Sequence, residues 1–311
     1  MGTISSLKKV VKNNSFLNAL WQNVVCRIIF KINPKILANW TYKSRFNKNI
    51  DWDNPKDLIE KIYWLQFNTD TSLWTTCADK YLVREYVKSK GLEESLNTIY
   101  GVYSDVEDID WDSLPQSFVL KWNNGSGQVL LVKDKSKLNI TATKKILNKW
   151  LKSRYGFEGA QLHYLKIKSC IIAEEYLMNE GDPTKSLVDY KIWCFHGQPK
   201  FVLVVYDRNE EDYKLSAYDL TWNNISQDVF NKLNPHYGGD DIPKPISLDR
   251  MVEMSAILSS DFIEVRCDFY EINNEPIFGE LTFTTGYGSY SKECYLKLGE
   301  YIDLKRANIN K

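Results

Sequence analysis

The sequence predicts an α+β protein, because helical segments and antiparallel hairpins follow one another along the chain. Residues 51–115 favour helices, a glycine-rich turn at 123–127 joins two strands of alternating apolar residues, and a short turn at 273–275 joins two more. With 311 residues, of which 43% are hydrophobic and 26% charged, the chain is long enough for one large domain or two to three smaller ones.

We divide the chain into four parts on the basis of charge and pattern. They are a basic amphipathic leader at 1–50, a helical region at 51–115, a region with the glycine-rich turn at 116–186, and a region with the C-terminal hairpin at 187–311. Three histidines and six widely spaced cysteines disfavour a structural zinc site anywhere in these parts.

The leader carries nine lysine or arginine residues and no acidic residue, so its charge is +9 in a chain that is neutral overall. Its apolar residues recur at helical spacing, at Leu17, Leu20, Trp21, Val24, Ile28 and Ile29. Such a helix would either rest on an anionic membrane or acidic polymer, or pack its apolar stripe against the protein body. No stretch approaches the roughly 18 apolar residues of a membrane span, so we expect a cytoplasmic protein with at most peripheral contact at the inner membrane face.

Four helices beyond the leader are predicted, at residues 57–66, 77–90, 141–154 and 248–259. Asp79 would lie in the first turn of the second helix, and Gly91 would be its C-cap. Ser247 would be the N-cap of the last helix. Strands are predicted on both sides of the glycine-rich turn and at 170–173, 188–195, 200–206, 263–272 and 277–283, with a loop-rich segment at 207–246.

The turn Asn123-Asn124-Gly125-Ser126-Gly127 lies at the tip of an apolar hairpin. It is neither a P-loop nor a dinucleotide-binding fingerprint, since the required lysine and the helix-opening glycine are absent. A tight turn that needs positive φ would explain the glycines. The bare backbone would also expose consecutive N–H groups to an anion, and Lys121 on the preceding strand would reach a phosphate there.

The C-terminal hairpin places acidic residues on one face. Strand alternation puts Arg266, Asp268 and Tyr270 on the same side of one strand, and Glu280 and Thr282 on the same side of the next. A turn with an odd number of residues would place Asp268 directly opposite Glu280. Two carboxylates about 5 Å apart at Cβ repel each other unless a cation lies between them. Oxygen ligands without a nearby histidine favour Mg²⁺; the alternative is an exposed face with scattered charges.

A third candidate element is the end of the apolar strand, Glu174-Glu175-Tyr176-Leu177. A strand exit exposes backbone N–H and C=O groups that could bind the edge of an adenine ring. The same pattern is also that of an ordinary strand end.

Taken in order, these residues resemble the ATP-grasp ligases, and more closely the TupA-like ATP-grasp proteins of bacterial surface-polysaccharide gene clusters. The resemblance runs from about residue 61 to residue 304, and its most specific pieces are residues 79–87, 189–197 and 278–284. It implies an ATP-grasp fold, in which two α+β subdomains hold ATP between them after a helical N-terminal region. Residues 116–186 would be the small subdomain with a glycine-rich flap, and residues 187–311 the large subdomain with the Mg²⁺-binding hairpin.

The resemblance also implies a set of nucleotide-binding residues: Lys80, Lys121, Gly125, Ser126, Gly127, Glu174, Glu175, Tyr176, Leu177, Glu180 and Lys191. The three lysines would contact phosphates, and residues 125–127 would form the flap over the triphosphate. The carbonyl of Glu174 and the N–H of Leu177 would bind adenine, and Glu180 would bind the ribose.

Metal-binding and catalytic roles are implied for the C-terminal hairpin and its neighbour. Asp268 and Glu280 would hold two Mg²⁺ ions, with Thr282 where most ATP-grasp ligases place an asparagine ligand. Arg266 and Lys191 would be catalytic, with Arg266 stabilising the phosphoryl group in transfer. After Thr282, residues 285–289 keep only alternate glycines of the glycine run that is usual in this branch.

The implied activity is that of an ATP-dependent carboxylate–amine ligase. A carboxylate would attack the γ-phosphate to give an acyl phosphate, and an amine would then displace phosphate to form an amide. We expect the acceptor to be a uronic acid in an acidic glycan or lipid-linked sugar of a bacterial capsule or surface polysaccharide. An amino acid would be the amine donor, and no nucleic acid is expected as a partner.

Two other classes of protein remain open. A nucleotide-sugar glycosyltransferase of polysaccharide biosynthesis would use an Asp-x-Asp motif, which residues 51–53 and 110–112 match by letter only. A non-catalytic glycan-binding protein would use the many aromatic side chains.

Overall fold

The computed structural model describes residues 21–179, 186–209, 212–231, 233–285 and 289–308. These residues form two antiparallel sheets surrounded by helices, which confirms the predicted α+β class. Glu180 and residues 286–288 lie outside the described residues, as do Leu17 and Leu20 of the leader.

Nine helices are present in the described part of the chain. They are α1 (Cys26–Ile32), α2 (Pro34–Phe46), α3 (Leu58–Asn68), α4 (Ser72–Ala78), α5 (Val83–Ser89), α6 (Ile140–Lys152), α7 (Ser226–Val229), α8 (Leu248–Leu258) and α9 (Lys292–Glu300). A π-helical turn, Trp21–Val25, precedes α1.

The strands divide between a small and a large sheet. The small sheet has the order β1-β4-β2-β3 and consists of β1 (Ile99–Tyr103), β2 (Phe118–Trp122), β3 (Val129–Val132) and β4 (Ile171–Glu175). The large sheet has the order β7-β6-β5-β8-β9 and consists of β5 (Asp189–Phe195), β6 (Gln198–Tyr206), β7 (Lys214–Asp219), β8 (Glu264–Ile272) and β9 (Glu275–Thr282). All neighbouring strands in both sheets are antiparallel.

The predicted helix at 57–66 forms, but the predicted helix at 77–90 is not continuous. Residues 77–78 end α4, and α5 begins only at Val83. Helix α3 begins with a capping box, in which Asp57 accepts hydrogen bonds from the N–H groups of Ile59 and Glu60. Helices α4 and α5 are separated because the Asp79 carboxylate accepts the N–H groups of Tyr81 and Leu82. This local turn competes with the helical hydrogen bonds, and so Asp79 lies between two helices instead of in the first turn of one.

Several elements were not predicted. Strand β1 lies within the segment expected to be helical, β7 and α7 lie within the segment expected to be loop, and α9 lies after the last predicted strand. Ser247 is the N-cap residue of α8, as predicted, but its hydroxyl donates to Glu271 at 2.6 Å and makes no capping hydrogen bond to the helix. Because β1 joins the small sheet, that sheet draws a strand from the 51–115 region, and the four-part division of the chain stays a prediction.

Each sheet has its own hydrophobic packing. Alternate residues Phe118, Leu120 and Trp122 of β2 point to one side and pack with Leu147 of α6 and Ile171 of β4. The larger core packs the five-stranded sheet against α8, α9 and the N-terminal helices. The opposite face of β2 is therefore left to line the space between the two sheets.

The described part of the leader packs against the body. Cys26 and Tyr42 are fully buried, and Trp21 stacks on Trp40 with ring centroids 6.0 Å apart. Val24 and Ile28 remain exposed on α1 and its preceding turn. A helix long and apolar enough to cross a membrane is not found among the described residues.

Candidate functional site

Asp268 of β8 and Glu280 of β9 are direct cross-strand partners, as predicted. The predicted turn is wrong, however, since Asn273 and Asn274 alone form it, with φ of 53° and 64°. With a two-residue turn and regular pairing, Asp268 would lie opposite Gly279. A β-bulge between Phe269 and Asp268 adds one residue to β9, and Asp268 therefore pairs with Glu280. A Cβ at Gly279 would lie 3.0 Å from the backbone oxygen of Asp268, which explains why a glycine occupies the bulge.

The Asp268 carboxylate is buried and held by two cations. Arg266 donates from Nε and Nη2 to its two oxygens at 2.7 Å each, and Lys191 Nζ lies 2.5 Å from Oδ2. Burial alone would raise the pKa of Asp268, but the charges of Arg266 and Lys191 outweigh burial and lower it. Asp268 is therefore ionised at neutral pH although it is 1% exposed.

Lys191 joins a second acid to this cluster. Its Nζ lies 2.7 Å from Asp189, which also pairs with Arg208 at 3.2 Å. Burial lowers the pKa of Lys191, but Asp189 and Asp268 outweigh burial and raise it above its ordinary value. Lys191 consequently stays charged at a largely buried position between two carboxylates.

Glu280 is the more accessible acid of the pair. Its side chain is 39% exposed and lies 3.8 Å from both Lys80 and Arg266. The Thr282 hydroxyl donates to Glu280 at 3.2 Å and accepts from Arg266 at 3.1 Å.

These residues fit magnesium when phosphate oxygens complete the coordination. Among the described residues, no group of three or more acidic, histidine or cysteine side chains could hold a metal by itself. Asp268, Glu280 and the Thr282 hydroxyl supply hard oxygen donors, which match the usual Mg²⁺ site of one or two carboxylates plus substrate phosphates.

The glycine-rich turn lies over the same cluster and is tied to it by Lys80. Lys80 Nζ donates to the carbonyl oxygen of Gly125 at 2.7 Å, and the same Nζ lies 3.8 Å from the Glu280 carboxylate. Gly125 and Gly127 have φ of 117° and 84°, so the predicted requirement for positive φ is confirmed. The base of the turn is fixed by Asn123, which is fully buried and donates to Asp79 at 3.0 Å.

The small sheet turns a mixed apolar and charged face toward the cleft. Register places Lys121 beside Val129 and Ile172, and Val119 beside Leu131 and Glu174, so these side chains share one face. Lys121 forms an ion pair with Glu174 on that face. Val129 and Leu131 are 41% and 58% exposed there, which leaves an apolar surface beside the ion pair.

A single cavity of about 670 Å³ brings most of the predicted site residues together. Those that line it are Lys80, Lys121, Gly125, Ser126, Gly127, Glu174, Leu177, Lys191, Arg266, Asp268, Glu280 and Thr282. Glu175 and Tyr176 are not among its lining residues, and the Glu175 side chain instead accepts the N–H of Thr98 at 3.3 Å. The volume is that of a typical small-molecule site.

Several lining residues were missed by the sequence analysis. Asp189 had a usable signal, because it stands two residues before Lys191 on the same face of a strand. Arg45, Arg208 and Gln161 had none, since segments distant in sequence bring them to the cavity.

Comparison with known proteins identifies the family. The model of the TupA-like ATP-grasp family matches residues 60–303. A search of curated proteins found no significant match.

Three solved structures are similar to the chain at low sequence identity. D-Alanine–D-alanine ligase from Bacillus anthracis is 15% identical, with a TM-score of 0.47 over 76% of this chain and 69% of that one. D-Alanine–D-alanine ligase from Helicobacter pylori is 16% identical, with a TM-score of 0.39 over 78% and 61%. Phosphoribosylamine–glycine ligase from Thermotoga maritima is 13% identical, with a TM-score of 0.42 over 68% and 49%.

The chain thus spans between 49% and 69% of the length of these three enzymes. The identification rests on the family match, which covers well over half of the chain and includes every lining residue named above except Arg45. The chain belongs to the TupA-like ATP-grasp family and has the α+β fold of the ATP-grasp ligases.

Proposed function

We propose that the protein is an ATP-dependent carboxylate–amine ligase that forms an amide through an acyl phosphate. The observation that carries this proposal is the gathering, in one cavity, of the glycine-rich turn, several lysine and arginine side chains and the Asp268–Glu280 pair. The described lining residues include seven cations and four carboxylates, so their net charge of +3 suits a highly anionic substrate such as ATP.

The nucleotide would lie across the small sheet with its phosphates toward the large sheet. Val129 and Leu177 offer an apolar wall for the base, beside the Lys121–Glu174 ion pair. Lys80, Lys121 and Lys191 would exchange their present carboxylate partners for phosphate oxygens. Residues 125–127 would close over the triphosphate through their backbone N–H groups. The roles of Glu174, Glu175 and Tyr176 at the adenine edge, and of Glu180 at the ribose, remain part of this proposal.

Asp268, Glu280 and Thr282 would hold the magnesium. Bound Mg²⁺ would offset the negative charge of the phosphates, and we propose two ions on the basis of the family resemblance. Arg266 is fixed against Asp268 in a bidentate pair, so its guanidinium is oriented before any substrate arrives.

The chemical step would be an in-line transfer between two oxygens. A carboxylate oxygen of the acceptor attacks the γ-phosphorus, and the bond from that phosphorus to the β,γ-bridging oxygen breaks to release ADP. Arg266 and Lys191 would stabilise the charge on the transferring phosphoryl group. The amine then attacks the acyl carbon, the carbon–oxygen bond to phosphate breaks, and the amine proton leaves to solvent.

We further propose that the acceptor is a uronic acid of a bacterial surface polysaccharide and that the donor is an amino acid. This part of the proposal rests on the family resemblance and on the positive charge of the cavity. The Asp-x-Asp sequences that a glycosyltransferase would need do not line the cavity. Asp110 instead accepts the N–H groups of Asp112 and Ser113 in an ordinary polar turn.

The test is ADP release by the purified protein with Mg-ATP, hexuronic acids and a panel of amino acids. We expect ADP and phosphate to form only when both an acid and an amine are present, and we expect an amide product by mass spectrometry. Mg-ATP should also raise the melting temperature, whereas UDP-sugars should not. Stabilisation by a UDP-sugar without ADP release would favour the transferase, and no response to either nucleotide would favour a binding protein.

A further inference from the structure

The last turn of α2 places Arg45 in the cavity of the proposed active site. Arg45 lines the same cavity as Lys191, Arg266 and Glu280, although α2 precedes the segment matched by the family model. The helix therefore extends the site from a part of the chain that the family match does not include.

Helix α2 is held firmly enough to present that side chain from a fixed position. Tyr42 is fully buried, and its hydroxyl donates to the Asp57 carboxylate. Phe46 stacks on Tyr42 with ring centroids 4.5 Å apart and meets Tyr295 edge-on at 5.1 Å. Arg45 is thus flanked on its helix by residues anchored in the core, and its own side chain is exposed to the cavity.

The pairing of charges in the cavity leaves Arg45 available to a ligand. The other cations among the described lining residues have partners, namely Lys80, Arg84, Lys121, Lys191, Arg208 and Arg266. Each of the four lining carboxylates forms an ion pair with one of these cations. Within the described part of the chain, Arg45 is the lining cation with neither a hydrogen bond nor an ion pair.

The cavity that Arg45 lines also presents uncharged polar side chains. Gln161 donates to the Thr284 hydroxyl at 2.7 Å, and the Thr285 hydroxyl lies 3.4 Å from Arg266. Gly159 is tied to α3 because its carbonyl accepts from the hydroxyl of Tyr63 at 2.9 Å. Amide and hydroxyl groups in the same cavity as a free guanidinium suit a ligand that combines hydroxyl groups with a carboxylate.

We infer that Arg45 binds a carboxylate of a polyhydroxylated acidic acceptor, and that α2 completes the acceptor subsite. The inference rests on the proposed ligase function, because it assigns the acceptor end of the same cavity. ATP with two magnesium ions is close to neutral, so the positive cavity would still favour an acid beside it. Arg45 is a specificity residue in this arrangement and takes no part in phosphoryl transfer.

The probe is trigalacturonic acid, with its methyl ester as the uncharged control. Binding is measured by calorimetry in the presence of Mg²⁺ and a non-hydrolysable ATP analogue. We expect the wild-type protein to bind the acid and not the ester. Arg45→Gln should weaken binding of the acid by about tenfold or more, as expected for the loss of a charge-assisted pair. Arg45→Lys should weaken it less.

Lys43→Gln is the matched control, because Lys43 is exposed in the same last turn of α2 and does not line the cavity. Both lysine and arginine there stabilise the helix C-terminus, so a helix effect would appear equally in the two variants. Equal binding of the acid by Arg45→Gln and Lys43→Gln, or equal binding of acid and ester by the wild type, would overturn the inference. Failure to bind the acid while the ATP analogue binds would overturn it and leave the ligase proposal standing. Failure of the wild type to bind the ATP analogue would instead defeat the ligase proposal itself.

Discussion

Arg266 and Asp268 stand two residues apart on one strand, and their side chains meet in two hydrogen bonds of 2.7 Å on the face that lines the cavity. The pair is nearly closed to solvent, with side-chain exposures of 10% and 2%. A buried ion pair of this kind is costly to break but contributes little net stability, so its value lies in fixing geometry. Here it fixes a guanidinium beside the acid proposed to bind magnesium.

Replacing Glu280 by Gln should abolish most of the activity and leave the fold intact. The amide would remove one of the two proposed metal ligands, and we expect ADP release to fall by about a hundredfold or more. The melting temperature should not change, since the Glu280 side chain is 39% exposed and its nearest cations are 3.8 Å away. The control is Glu275→Gln, an exposed acid on the same strand. If Glu280→Gln turned over ATP as fast as Glu275→Gln, the metal assignment would be wrong.

Replacing Lys80 by Met should loosen the glycine-rich turn and weaken nucleotide binding. The variant loses the 2.7 Å hydrogen bond to Gly125 and a proposed phosphate contact. We expect faster amide exchange across residues 123–127 and an affinity for the ATP analogue reduced by about tenfold, which corresponds to one charge-assisted hydrogen bond. Lys88→Met, at an exposed position of α5, serves as the control. Unchanged exchange in the turn would show that Lys80 does not hold it.

Replacing Asp268 by Asn should destabilise the protein as well as inactivate it. Arg266 and Lys191 would lose their shared partner at a buried position, which costs about 3–5 kcal/mol. Because the pKa of Asp268 is lowered in the folded state, its contribution is present above the unfolded pKa and is lost as the pH falls through the folded one. The difference in unfolding free energy between wild type and variant should therefore shrink between pH 6 and pH 3. Urea denaturation measures it, with Asp249→Asn, whose side chain is 90% exposed, as the control.

Replacing His163 by Leu should make the protein less sensitive to mild acid. Burial lowers the pKa of His163 to about 3, and both ring nitrogens lie buried without a hydrogen bond among aromatic rings. Between pH 6.5 and pH 5 the unfolded chain binds a proton that the folded protein excludes, which removes about 2 kcal/mol of stability. Between pH 6.5 and pH 5, the unfolding free energy of the variant should therefore fall less than that of the wild-type protein. Identical slopes for the two proteins would show that His163 is protonated in the folded state.

The sequence predicted the pairing of Asp268 with Glu280 and the α+β class, but not every element of the fold around that pair. Strand alternation was enough to bring Asp268 and Glu280 face to face, because the period of two is set by the backbone and survives errors in the turn. The actual turn has two residues, and the bulge at Gly279 compensates for the difference. No pattern in the local sequence predicts such a bulge, because the bulge results from how one strand pairs with its neighbour.

The elements that were missed depend on distant partners or on side-chain competition. Strand β1 has five residues, one of them Gly101, and is stabilised by pairing with β4 some seventy positions later. The division of the helix at Asp79 results from a side chain that captures two backbone N–H groups. Arg45 reaches the cavity through the docking of α2, which composition and periodicity in its own segment do not reveal.

The bulge at Gly279 gives the hairpin one register of strand pairing near its tip and another at Asp268 and Glu280. The pairs from Phe269–Phe278 to Ile272–Glu275 follow one register, and the pairs from Arg266–Thr282 to Asp268–Glu280 follow another. The pairing of Asp268 with Glu280 therefore depends on the bulge as well as on the turn. Asparagines with positive φ at the tip and a glycine at the bulge thus set the register of this hairpin from two separate positions.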